Sequence, residues 1–94
     1  MKNGNGIIRI AHSARFLKSF KRLSQPIQEK ADERDKIFKE SPFDSRLATH
    51  KLHGRFAGFW AYSVDYRYRV IFVFDGSHTV IYHDVGLHHI YADK

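Results

Sequence analysis

The hydrophobic period of this chain changes partway along, and that change limits the folds open to it. Between residues 13 and 40 the apolar side chains recur at helical spacing. Phe16, Phe20 and Leu23, with Leu17 beside them, form one stripe, and Ile27, Ala31, Ile37 and Phe38 form a second. From residue 52 the period becomes two, in aromatic and β-branched stretches such as RFAGFWAYSV (55–64) and YRYRVIFVF (66–74). Ser13 is placed to cap a helix running to about Leu23. Ser24-Gln25-Pro26 breaks it and restarts a second helix that runs to about Lys39, with Arg34 on its inner side and Asp32/Lys36 and Asp35/Lys39 as i,i+4 pairs. Two helices joined this tightly form a hairpin. IIRIA (7–11) reads as a short strand before them, and residues 1–6 as a frayed polar start. DGSH (75–78) is a turn in which Gly76 supplies positive φ. TVIYHDV (79–85) is the last strand, interrupted at Gly86. The order is β-α-α-β-β-β. It predicts an α+β domain spanning residues 1–94, with a helical hairpin on one face of a small, mostly antiparallel sheet.

Alternation then sorts the third strand. Tyr66, Tyr68, Val70, Phe72 and Phe74 share one face, and Arg67, Arg69, Ile71 and Val73 the other. The continuous apolar set is expected to pack on the helices, leaving the two arginines on the open face.

Ninety-four residues with 43% apolar content suffice for one modest core. No apolar run reaches the ~20 residues of a membrane helix, and no signal-peptide segment opens the sequence. The expected setting is cytoplasmic, without a membrane partner. There are no cysteines, which excludes disulfides and thiolate-bound metals. The net charge of +6 points to an anionic partner. Ten basic and five acidic groups lie in residues 1–40, six and five in the remainder, and six of seven histidines fall in that second half. The second half can therefore gain charge near neutral pH.

Three clusters carry chemistry: HKLHGR with His50, Lys51, His53 and Arg55; the Arg67/Arg69 pair; and GLHHIY with His88, His89 and Tyr91. Cations, imidazoles and a phenol with few carboxylates suit cleavage of RNA by its own 2′-hydroxyl. That reaction needs a base, an acid and positive charge on the phosphate, and no metal or other cofactor. A zinc site is disfavoured because the histidine spacings match no standard pair. His78 reads as a polar loop residue, His12 as a residue of the helix start, and His83 as structural. Tyr62, Tyr66 and Tyr68 read as packing residues, and Trp60 as a core residue or a partner contact.

The stretch LHGRFAGFWAYSVDYRYRVIFVF followed by VGLHHIY resembles the RelE/ParE superfamily of toxins from type II toxin–antitoxin systems, particularly its mRNA-cutting RelE/YafQ/YoeB-like branch. The matching positions are Leu52, Gly54, Gly58, Trp60, Val64, Tyr68 to Phe72, Gly86 and His88. Ser63 stands where the family has arginine, one extra residue precedes the Tyr-Arg-Val step, and Tyr91 comes one residue early. The resemblance implies a metal-free, ribosome-dependent endoribonuclease that cuts mRNA and is neutralised by a cognate antitoxin. It implies Arg69, or Arg67 in its place, on the phosphate and His88 as general acid or base. His53 or His89 would be the complement, Tyr91 the terminal aromatic, and Lys51 and Arg55 the contacts to flanking phosphates. The competing readings are a ParE-like inhibitor of DNA gyrase without nuclease activity and a non-catalytic basic RNA-binding domain.

Overall fold

The computed structural model describes residues 6, 7 and 9–91, and of residues 90 and 91 the backbone alone. Residues 1–5, expected to fray, and Ile8 of the expected first strand lie outside that description.

The elements are β1 (Arg9–His12), α1 (Ala14–Arg22), α2 (Gln25–Glu40), β2 (His50–Lys51), β3 (Trp60–Ser63), β4 (Tyr68–Phe74) and β5 (Thr79–Leu87). Short 3-10 turns cover Ser45–Leu47, Gly54–Phe56 and His88–Tyr91. The five strands form one sheet in the order β1-β5-β4-β3-β2. β1 runs parallel to β5, and every other neighbour pair is antiparallel. This is the expected α+β arrangement with one strand more than the sequence suggested. The extra strand is β2, two residues long, which pairs His50 with Ala61 and Lys51 with Trp60.

Helix ends follow local chemistry. Ser13 caps α1, its Oγ accepting the Phe16 amide at 3.0 Å. The same hydroxyl donates to the His83 carbonyl at 2.7 Å, tying the start of α1 to β5. Pro26 sits in the first turn of α2, where its missing N–H costs nothing. Gln28 Nε2 donates to the Phe20 carbonyl at 2.9 Å, which also accepts the Leu23 amide at 3.1 Å, tying α2 to the end of α1. Asp35 pairs with Lys39 at 3.2 Å. Asp32 and Lys36 form no ion pair among the described residues.

The main core lies between the helices and one face of the sheet. Phe16, Ala31 and Phe38 meet Tyr62, Val64, Val70, Phe72, Val80, Tyr82 and Val85. Phe38 is fully buried; its ring lies 4.7 Å from that of Tyr62 and 4.9 Å from that of Phe72. Tyr68, Val70, Phe72 and Phe74 all belong to this layer, as alternation predicts. The opposite face is not bare. Leu52, Ala61 and Ile71 are buried there, with Phe56 and Phe59 packed beside them.

Two strands depart from expectation. The segment read as a strand over residues 55–64 starts as a 3-10 turn, and Gly58 at φ +96° redirects it into β3. β5 does not stop at Gly86 but runs through it to Leu87.

Candidate functional site

The open face of the sheet is set by the β4–β5 register. Val70 pairs with Val85 and both face the helices, while Ile71 pairs with Asp84 on the open side and Arg69 pairs with Gly86. Farther along the ladder Phe72 pairs with Tyr82, so His83 has no partner. One extra residue in β5 makes a β-bulge. Without it, Tyr82 and Asp84 would share a face and a carboxylate would enter the core. With it, Tyr82 and Val85 both face the helices and the intervening residues fall on the open side. Asp84 is 7% exposed, and its Oδ1 accepts the Val85 amide at 2.8 Å. The His83 ring lies 4.7 Å from the ring of Phe59, in the small cluster of that face.

Arg69 is half-buried on this face. Its Nη1 donates to the Asp65 carbonyl at 2.9 Å, holding the guanidinium back against the turn before β4. Burial pulls the guanidinium pKa below its ordinary value and the Asp65 carboxylate raises it; arginine keeps its charge throughout. The turn is built by Asp65, whose Oδ1 accepts the amides of Arg67 and Tyr68, each at 2.8 Å.

Arg67 is placed differently from Arg69. β4 begins at Tyr68, so the alternation that would put both arginines on one face does not extend to Arg67. Its guanidinium lies 5.8 Å over the Tyr68 ring, which packs on the helical side. Its carbonyl accepts the His88 amide at 2.8 Å, continuing the β4–β5 ladder one step beyond the Tyr68–Leu87 pair. His88 thus follows Gly86 by two residues, across from Arg67, and its side chain is exposed. His89 is exposed in the same 3-10 turn. The side chain of Tyr91 lies outside the described residues.

The HKLHGR cluster is divided. His53 is exposed at the start of the Gly54–Phe56 turn. Arg55 is exposed, its guanidinium 5.2 Å over Phe56, beside the open-face cluster. Lys51 does not join them. It pairs with Trp60, a residue of the helical side, and its Nζ lies 5.7 Å over that indole. The reason is register: His50 lines up with Ala61 and Ile71 on the open face, so its neighbour must take the other. Lys51 instead borders an aromatic patch of Trp60, Phe74 and the 60%-exposed Phe43. Among the described residues no three histidine, aspartate or glutamate side chains converge closely enough to hold a metal ion.

The arrangement therefore gathers one arginine in a strand, a histidine past the end of the adjacent strand, and an aromatic floor with a second histidine and a buried carboxylate. From the sequence, His83 reads as structural and Asp84 is not singled out. Their signal is in YHDVG, where strict alternation would put Asp84 in the core and Val85 outside it, an inversion that an extra residue removes.

This architecture is that of a known class of small bacterial and archaeal toxins. The chain has the fold shared by the RelE-, YafQ- and YoeB-type toxins of toxin–antitoxin systems. The YoeB/ParE toxin from Agrobacterium tumefaciens superposes with a TM-score of 0.72 at 18% identity, over 86% of this chain and 99% of that one. The E. coli DinJ-YafQ toxin-antitoxin complex matches at 0.69 and 15% identity, over 86% and 92%. The archaeal RelE-RelB complex from Pyrococcus horikoshii OT3 matches at 0.67 and 17%, over 84% and 92%. No family model and no curated protein matches the sequence.

Proposed function

We propose that this chain is the toxin of a type II toxin–antitoxin pair and that it cleaves mRNA on the ribosome by metal-free attack of the 2′-hydroxyl. The observation that carries the reading is the β4–β5 register, which pairs Arg69 with Gly86 and sets His88 two residues beyond. A phosphodiester over this part of the open face meets a guanidinium whose Nη1 is already anchored, leaving its other donors for the phosphate oxygens. His88 exchanges a proton with the reacting oxygen. Arg55 stacks beside the aromatic floor and contacts flanking phosphate, with His53, His89 and Arg67 at the rim. A cognate antitoxin holds the toxin inactive; RelBE2 and DinJ-YafQ, whose toxins share the fold, were each solved as a toxin-antitoxin complex. The setting is cytoplasmic. Among the described residues no helix is long and apolar enough to cross a membrane.

The test is induced expression of the wild type, His88→Ala and Arg69→Ala, with primer extension on total mRNA. The expected result is growth arrest with new 5′ ends at codon positions for the wild type, and relief by either substitution in protein that still folds. Arrest with DNA damage and intact mRNA assigns the chain to gyrase inhibition. Full toxicity in both variants removes the mechanism.

A further inference from the structure

Cleavage through the 2′-hydroxyl requires two proton transfers on opposite sides of phosphorus, and His88 supplies one. We propose that His83, set on the open face by the β-bulge, supplies the other, so that the two imidazoles work from either side of Gly86. This inference rests on the nuclease reading above.

Four observations support it. The register leaves His83 as the unpaired residue between the Phe72–Tyr82 and Ile71–Asp84 pairs. Bulges re-aim side chains and are over-represented beside active sites. The ring is seated 4.7 Å from Phe59, at a 43° tilt, within the aromatic group of the open face. The backbone of the bulge is pinned from outside the sheet, because the Ser13 hydroxyl donates to the His83 carbonyl. Finally, Gly86 lies between His83 and His88 along β5 and contributes no side chain opposite Arg69. His83 and His88 stand five residues apart, roughly 16 Å at a strand's rise per residue before the shortening by the bulge, so the two imidazoles would lean toward one phosphodiester from either side of Gly86.

Other titratable or charged groups share this face. Asp84 and His88 lie on or just beyond β5 itself, Arg69 on β4, His50 on β2, and Arg55 beside Phe56 in the turn before β3. From β1, His12 pairs with Tyr82 and belongs to the helical side. Asp84 adjoins His83 on the open side, its Oδ1 accepting the Val85 amide.

The step balances as follows. Neutral His83 accepts the 2′-hydroxyl proton as that oxygen bonds to phosphorus. The bond from phosphorus to the 5′-oxygen breaks, and His88, as imidazolium, gives that oxygen a proton. The products are a 2′,3′-cyclic phosphate and a free 5′-hydroxyl. Arg69 stabilises the charge on the non-bridging oxygens.

The experiment measures single-turnover cleavage of ribosome-bound mRNA between pH 5 and 9 by the wild type and by His83→Gln, with melting curves for both. Expected is a loss of about 100-fold or more in rate, the scale of a general base. The rising limb of the pH–rate profile should disappear while the melting temperature stays near that of the wild type. A near-wild-type rate and an unchanged profile in His83→Gln, with the wild type active, overturn this inference and leave the nuclease reading standing. No cleavage by the wild type removes both. A second measurement does not depend on the variant folding: inorganic phosphate is titrated at fixed pH into uniformly 15N-labelled wild-type protein. The His83 and His88 ring signals should move together with the Gly86 amide, and movement of His88 and Gly86 without His83 overturns the assignment.

Discussion

Tyr82 has a single hydroxyl proton and gives it to Asp35 Oδ1 at 2.7 Å, so the 2.9 Å contact between the Tyr62 and Tyr82 oxygens must use the proton of Tyr62. Removing the middle of this chain leaves the buried Tyr62 hydroxyl without its partner and Asp35 with its Lys39 ion pair but without the phenol donor. Tyr82→Phe should cost about 1–3 kcal/mol in urea unfolding at neutral pH. Burial pushes both phenols well above the usual tyrosine range, and for Tyr82 the nearby Tyr62 and Asp35 add to it. A raised pKa favours the protonated phenol in the fold. The stability this gives is fully present below about pH 10 and is lost as pH rises beyond it, by up to ~1.4 kcal/mol per pH unit for each tyrosine. Urea midpoints from pH 9 to 11 should fall steeply for the wild type and less steeply for Tyr82→Phe. On the open face, Arg69→Lys keeps the charge but loses the fork. It should slow cleavage roughly 10- to 150-fold, the worth of one charge-assisted hydrogen bond of about 1.5–3 kcal/mol. That Arg69 and not Arg67 occupies the face was not legible from alternation, because the alternation ends where the Asp65 turn begins. Lys51 was misplaced for a related reason: in a cluster of cations, the sequence spacing does not reveal which ones a two-residue strand turns away.

Among the elements, both helices were legible because a cap, a proline and two apolar stripes agree on their limits. β4 was legible because its apolar set is continuous. The strand before it was not, since the aromatic run FAGFW continues across a 3-10 turn and a glycine bend, and hydrophobicity does not separate a strand from a well-packed turn. The bulge was illegible in itself, being one residue in a ladder, though it fixes the face of every β5 side chain on its far side. Its anchor gives a test at this scale. Ser13→Ala removes the cap of α1 and the bond to the His83 carbonyl together. The expected loss is about 0.5–2 kcal/mol for the cap. Increased amide exchange should appear at Phe16 and around His83 in the same variant. Phe38→Ala, at the contact of α2 with the sheet, should cost about 3–5 kcal/mol and lower the melting temperature far more.

The molecule as a whole is small and basic, with a radius of gyration of 12.5 Å and a net charge of +6. Attraction to polyanions is the expected consequence, and it is screened by salt. Binding to ribosomes should weaken linearly on a plot of log affinity against log salt, in proportion to the phosphates neutralised. Arg55→Ala should lower that slope, whereas His83→Gln should not. The sheet order carries a last consequence. β1 finds its parallel partner in β5, with the Arg9 amide bonded to the His78 carbonyl and the Ser13 amide to that of Tyr82. During synthesis, the segment made early therefore waits, unpaired, until almost the entire domain has emerged from the exit tunnel. A nascent chain of this topology has no finished sheet until β5 itself has been made.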